Sequence, residues 1–150
     1  MLYSEATLEE TIRSVIEQDH PDIEYIVVDG GSTDTTQEII GKYRNNISKF
    51  VSEKDDGIYF AINKGIALAT GEIVGILHSD DFYADDQVIS RVVKEFEIKK
   101  TDSLYGDLQY ISRENTGKII RHWKSNSYDP KLFLKGWMPP HPAFFVRRKC

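Results

Sequence analysis

The pair Asp80-Asp81 follows the apolar run Ile73-Val74-Gly75-Ile76-Leu77, with only His78 and Ser79 between. Two carboxylates just past a strand suit a hard divalent cation such as Mg²⁺ or Mn²⁺, which prefers carboxylate and phosphate oxygens and lets a diphosphate complete its shell. The cation would neutralise charge on a departing diphosphate. An earlier run, Ile23 to Val28, ends in Asp29-Gly30-Gly31-Ser32. A carboxylate there can accept hydrogen bonds from a base N–H or a ribose hydroxyl, and the glycines permit close backbone approach. Ligands of open α/β sheets gather beyond the carboxyl ends of the strands, so two strands that both stop at Asp point to one shared polar pocket. Plainer roles exist for each residue. Asp81, Asp85 and Asp86 can cap the following helix; Asp85 and Asp86 fit that role, whereas Asp80 and Asp81 lie nearest the strand end and fit the cation. Asp29 heads an ordinary turn sequence, and Asp55-Asp56-Gly57 can be a capping turn. Lys64 is either a diphosphate contact or a solvated helix lysine, and spacing alone favours the second.

These residues need elements to hold them. Leu8, Ile12, Val15 and Ile16 recur at helical spacing and Thr7 with Glu10 has the form of a capping box, which predicts a helix over about residues 7–18, ended by His20-Pro21. Residues 23–28 read as a buried strand, and the turn at 30–34 supplies caps for a helix carrying Ile39, Ile40 and Tyr43. A short strand at Phe50-Val51-Ser52 precedes a helix marked by Ile58, Ala61, Ile62, Ile66 and Ala69, closed by Gly71. A strand at 73–77 leads to a helix from near Asp86 bearing Val88, Val92 and Phe96. This alternation predicts a mostly parallel, doubly wound sheet flanked by helices. After residue 100 the pattern changes. Strand-like runs at 104–111 and 118–123 flank Asn115-Thr116-Gly117, an antiparallel hairpin signal; a short helix over 130–136, a proline-bound loop at 138–142 and a strand at 143–147 complete the chain.

The 150 residues, 40% hydrophobic and 29% charged, suit one globular domain with a sizeable core. No apolar stretch approaches the roughly 20 residues of a transmembrane helix, and the first residues lack the pattern of a signal peptide. With Cys150 as the single cysteine, no internal disulfide can form, so a reducing, cytoplasmic setting is the simpler expectation. The net charge of -5 and pI near 5.4 argue against a nucleic-acid partner bound by a basic face. Basic residues do cluster late, from Arg113 to Lys149, mostly as solvated surface, with peripheral contact at an inner membrane face left open.

Several blocks together carry a family resemblance. Ser4 to Val15, then Ile26-Val27-Val28-Asp29-Gly30-Gly31-Ser32-Thr33-Asp34, then Ser52-Glu53 through Gly57-Ile58-Tyr59 with Asn63-Lys64-Gly65, then Ser79-Asp80-Asp81, resemble glycosyltransferase family 2 in order and spacing. The resemblance implies the GT-A fold, a Rossmann-like nucleotide-sugar domain, and inverting sugar transfer from a nucleotide diphosphate sugar, expected to be of the uridine type, to a glycan or lipid-linked acceptor with Mg²⁺ or Mn²⁺. It further implies that Asp29 binds the base, Asp55 lines the same nucleoside pocket, Asp80 contacts ribose or sugar and Asp81 holds the metal. Residues 1–100 would form the nucleotide-binding half and 101–150 a partial acceptor-side half. His141, in Pro139-Pro140-His141-Pro142, resembles a histidine that lies near metal and diphosphate in related transferases, with a plain turn histidine as the alternative. Trp137 beside it is placed to stack on a sugar or to close the core.

The departures are equally specific. Relatives begin with an apolar strand that lines the nucleoside pocket, whereas only Met1-Leu2-Tyr3 precedes the first helix here, so the expectation is a fragment or natural truncation with a rearranged or exposed sheet edge and a tendency to self-associate. Phe60 stands where the family often has Asp, and Lys54 where proline is common. The Glu-Asp motif that supplies the general base in many relatives is missing, which makes Asp107, in Tyr105-Gly106-Asp107, the first candidate, an exposed strand Asp being the alternative. Two other classes remain: a metal-dependent nucleotidyltransferase, for which no glycine-rich phosphate loop is found, and a non-catalytic binding or assembly remnant.

Overall fold

The computed structural model describes residues 6–150. The reading of Met1-Leu2-Tyr3, and the start of the first family block, fall outside them. Four helices, α1 (Leu8–Ile16), α2 (Thr36–Lys42), α3 (Ile58–Leu68) and α4 (Val88–Lys99), alternate with β1 (Ile26–Asp29), β2 (Lys49–Ser52) and β3 (Ile73–Gly75). After α4 come β4 (Ser103–Tyr105), β5 (Leu108–Ile111), β6 (Ile119–Trp123) and β7 (Phe144–Arg147), with 3-10 turns at Pro130–Lys135 and His141–Ala143. The mixed α/β class is the one the sequence predicts.

The apolar stripe of α1 does what its period requires: Leu8 and Ile12 pack with Val27 of β1 and with Ile39, Ile40 and Ile47, and Ile12 is fully buried. A second cluster forms from Val92 and Phe96 of α4 and Phe145 of β7, with Ile73, Tyr83 and Leu104 against it. Each cluster sits beside one of the two acidic strand ends.

The sheet differs from the predicted one in its ladders. β1 and β2 are parallel, Ile26 opposite Lys49 through Asp29 opposite Ser52. β3, however, pairs antiparallel with β7, which pairs antiparallel with β4 on its other side. The parallel part is therefore one pair among the described residues, and β1 and β3 share no ladder there. The predicted strand 73–77 is laddered only to Gly75, opposite Phe145, and just before Phe144 the chain leaves the extended form in the 3-10 turn His141–Ala143. Gly75 is itself a requirement of the pairing, since a Cβ there would lie 2.5 Å from Cε1 of Phe145. Gly75→Ala is accordingly expected to cost about 1–3 kcal/mol of stability by overpacking, read as a lowered urea midpoint with an unchanged slope.

Local signals were redirected in several places. Thr7 is the N-cap of α1 but makes no side-chain cap bond, so the predicted capping box does not form; its hydroxyl donates instead to the Ser79 carbonyl at 2.9 Å. Gly71 does not close α3, whose C-cap is Ala69 in an extended conformation. The chain there is held by Glu24, which accepts from Thr70 N at 2.7 Å and Gly71 N at 3.2 Å. The helix expected from near Asp86 starts at Val88, with Asp85 accepting from the Gln87 amide and the Ile89 amide capped by Gln18, just past the end of α1. The predicted strand 104–111 is split at Gly106-Asp107, so β4 joins β7 while β5 forms the hairpin with β6 around Asn115-Thr116-Gly117.

Glu24 also accepts from Lys49 Nζ at 2.6 Å. The Lys49 ammonium and the Thr70 amide hold its carboxyl down at about 2. Because this value is depressed below that of the unfolded chain, the interaction stabilises fully above about pH 5 and is lost as the pH falls towards 2. The difference in Tm between wild type and Glu24→Gln should therefore shrink across that window; a constant difference would remove the acid-range role assigned to Glu24.

Candidate nucleotide-sugar site

Asp29 ends β1 and is fully buried. Burial pushes its carboxyl up, yet the hydroxyls of Ser32 and Ser52 and the amides of Ser32 and Gly31 outweigh that and hold it below the usual range. Ser32 Oγ donates to Oδ1 at 2.5 Å, and Ser52 Oγ and Ser32 N donate to Oδ2 at 2.6 and 3.0 Å. Asp29 is thus an ionised, rigidly oriented carboxylate that knots the ends of β1 and β2 together. Gly31 adopts a φ of 81°, a left-handed conformation that glycine reaches at little cost, and a Cβ on it would approach Lys54 N to 3.1 Å. A Cβ on Gly30 would approach Asp55 Oδ2 to 3.0 Å. Both glycines are small because the 53–55 segment closes over them, which brings Asp55 beside Asp29. Lys64, on α3, forms an ion pair with Glu53. Asp29, Asp55 and Lys64 therefore belong to one neighbourhood. Here the sequence reading passed over Ser52, whose hydroxyl meets Asp29; the parallel register makes them neighbours, and no local pattern announces that register.

The second acidic end is built differently. Asp80 is exposed and Asp81 half-buried, with the Asp81 amide donating to the His78 carbonyl at 3.1 Å. Burial pushes the Asp81 carboxyl up, the Asp80 charge pushes it further, and His78 and His141 pull the other way. The two imidazoles meet edge to face, ring centroids 5.3 Å apart. In the sequence His78 only separates the strand from the acids, and no spacing rule pairs it with a histidine 63 positions on. Asp107 lies in the break between β4 and β5, exposed, its Oδ1 accepting from Ser125 N at 2.8 Å and Ser125 Oγ at 2.7 Å. The Ser125 contacts hold this carboxyl below its ordinary value. Its neighbour Gly106 donates to the Ala143 carbonyl at 2.9 Å, which ties the Asp107 break to the turn bearing His141. Trp137 packs edge to face with Tyr105 and with Phe133, so its ring is engaged by other aromatic groups.

Among the described residues, no group of three or more His, Cys, Asp or Glu side chains holds a metal ion by itself. The donor chemistry still fits a hard cation of the Mg²⁺ or Mn²⁺ type: two adjacent carboxylates, one desolvated by its surroundings, with shell positions left for phosphate oxygens and water. No helix of the described residues is long and apolar enough to cross a membrane.

One acid is thus knotted at the end of β1, and a second pair of acids lies past β3. The chain matches the family described as Glycosyl transferase family 2 over residues 2–149; it belongs to that family. A PGL/p-HBAD biosynthesis glycosyltransferase of Mycobacterium bovis (strain BCG / Pasteur 1173P2) is 34% identical over 147 residues, covering 95% of this chain and 55% of that protein. The chain thus spans about half the length of this curated relative. S. aureus TarS 1-349 in complex with UDP superposes with a TM-score of 0.74 over 99% of this chain and 45% of that one at 22% identity, a likeness of fold. The same protein in complex with UDP-GlcNAc gives 0.62 at 29% identity, covering 68% and 30%. The mannosyltransferase PcManGT from Pyrobaculum calidifontis, in complex with GDP-Man and Mn2+, gives 0.65 at 25% identity, covering 73% and 34%. The fold is GT-A, and the nucleotidyltransferase alternative is set aside by the family match.

Proposed function

We propose that this chain carries the donor site of a metal-dependent inverting glycosyltransferase that moves a sugar from a UDP-type nucleotide sugar to a glycan or lipid-linked acceptor in the cytoplasm. The observation that carries this reading is the contrast between the two acidic strand ends. Asp29 is ionised, its charge satisfied by the hydroxyls of Ser32 and Ser52 and the amides of Ser32 and Gly31, and so is fixed in place, whereas the Asp81 carboxyl is pushed up by burial and by Asp80 and gains by meeting a cation. Complexes of structural relatives with UDP, UDP-GlcNAc and GDP-Man with Mn2+ support the same assignment.

In this reading residues 1–100 hold the nucleotide, with Asp29 and Asp55 against the nucleoside and Lys64 released from Glu53 towards the diphosphate. Asp81, with Asp80 on the ribose or sugar side and His141 nearby, would hold the cation, which supplies positive charge to the leaving diphosphate. Residues 101–150 face the acceptor. The acceptor hydroxyl oxygen forms a bond to the anomeric carbon as the bond from that carbon to the diphosphate oxygen breaks, and the hydroxyl proton passes to Asp107. With its proton affinity lowered by Ser125, Asp107 is a modest base. Asp107→Asn is expected to lower kcat by about 10²-fold, the lower end of general-base effects, while leaving donor affinity unchanged. A loss of donor binding instead would move Asp107 to a structural role.

Calorimetric titration with UDP, with Mn²⁺ and then with EDTA, tests the assignment. Binding that strengthens with Mn²⁺ is expected. Absence of any nucleotide heat would sink the enzymatic reading, and binding without turnover of any nucleotide sugar would leave a binding module.

A further inference from the structure

Thr7, Thr11, Ser14 and Gln18 lie at i, i+4, i+7 and i+11, one polar stripe along a helical face, immediately beside the apolar stripe of Leu8, Ile12 and Val15. Every member reaches the segment that carries the acidic pair. Thr7 Oγ1 and Thr11 Oγ1 both donate to the Ser79 carbonyl, at 2.9 and 3.0 Å. Ser14 Oγ accepts from the Tyr83 amide at 3.2 Å and donates to the Thr11 carbonyl at 2.8 Å. Gln18 Nε2 donates to the Asp85 carbonyl at 2.7 Å while its Oε1 accepts from the Ile89 amide at 3.0 Å. Asp19 N adds a bond to the Asp86 carbonyl at 2.8 Å. Asp80 and Asp81 are thereby fastened on both sides, by the Ser79 carbonyl before them and the Tyr83 amide after them, and the Tyr83 side chain packs on the second core cluster.

Thr11 and Gln18 are buried polar residues, Thr11 on the face of α1 that also carries Leu8 and Val15 and Gln18 just past the end of that helix, so a segment needing only a core face would carry aliphatic side chains there. We propose that this stripe is a positioning device for the metal-binding loop: α1 holds the carboxylates of Asp80 and Asp81 at the separation a single cation with a bound diphosphate requires. The proposal rests on the donor-site reading above and assigns Thr11, Ser14 and Gln18 as positioning residues that touch neither donor nor metal. Partners that orient metal ligands in this way change metal affinity by roughly 10–100-fold when removed.

The test uses Thr11→Val, equal in shape and lacking the hydroxyl, with Thr11→Ser as the conservative control. Mn²⁺ affinity is measured by electron paramagnetic resonance in the presence of saturating UDP, and UDP affinity is measured separately in EDTA. Thr11→Val should weaken Mn²⁺ binding about 10-fold and leave metal-free UDP binding within about twofold, and Thr11→Ser should restore Mn²⁺ binding. Equal Mn²⁺ affinity in wild type and a folded Thr11→Val overturns the positioning role alone. Parallel losses of both affinities overturn it too, because they mark a general structural defect. Failure of the wild type to bind Mn²⁺ with UDP overturns the donor-site reading and this proposal with it. Should Thr11→Val not fold, Ser14→Ala, which unpairs the Tyr83 amide on the far side of the two aspartates, carries the same expectation and the same grounds for rejection.

Discussion

Asp81→Asn is expected to remove Mn²⁺-dependent sugar transfer almost completely, by about 10³-fold, in a protein that remains folded. A cation bound at a leaving diphosphate contributes several kcal/mol of charge stabilisation, and about 4 kcal/mol corresponds to three orders of magnitude in rate. The amide keeps the shape of the carboxylate and discards its charge. That charge is costly in the folded chain, since Asp81 is half-buried and has Asp80 as its neighbour. Its removal should therefore leave Tm unchanged or raise it, the pattern of a site kept for activity at the expense of stability. Turnover with a UDP-sugar and a thermal melt on the same preparation check both halves. Wild-type rates in Asp81→Asn would remove the metal role, and a large drop in Tm would make Asp81 a structural residue.

Phe96→Ala is expected to cost about 3–5 kcal/mol, the range for emptying a buried aromatic site. Phe96 is 1% exposed and joins Val92 to Phe145, so it links α4 to the strand that lies between β3 and β4. Its ring carries the Arg147 guanidinium at 5.3 Å, and its carbonyl accepts from Arg147 Nη2 at 3.3 Å. Truncation removes apolar contacts and the cation–π partner together. Set against a typical domain stability of about 5–15 kcal/mol, the loss is severe. Because Tyr83 rests on the same cluster, the loop holding Asp80 and Asp81 loosens with it. Urea unfolding of Phe96→Ala and Phe96→Leu gives the measurement; a loss below about 1 kcal/mol in the alanine variant would show that this cluster is not a core.

The helices were legible because their apolar periods act locally: Leu8, Ile12 and Val15 form a helical stripe wherever α1 packs. The strand ends at Asp29 and near Asp80 were legible for the same reason, as apolar runs stopped by polar turns. Boundaries were less so. The ladder of β3 ends two residues before the predicted strand does, and its length is set with β7, some 70 positions away. Thr7 looked like a cap because hydroxyls at such positions usually bond to the nearest free amide, yet the Ser79 carbonyl offered a better-placed partner through tertiary contact. Gln18, which carried no local signal, caps a helix that begins 70 positions later.

By itself the sequence determined the family, the alternation of elements and the set of acids available for chemistry, since motif order and hydrophobic period are properties of contiguous residues. Only the tertiary structure decided how those acids differ. Asp29 is satisfied because the parallel register places Ser52 against it and the 31–32 turn folds back over it. Asp81 is left with a carboxyl that burial makes costly because α1 and the second core hold its loop against the histidine pair. Desolvation and hydrogen-bond satisfaction depend on partners tens of residues away, so two aspartates that look alike in sequence become a fixed brace and a desolvated carboxylate beside a second acid.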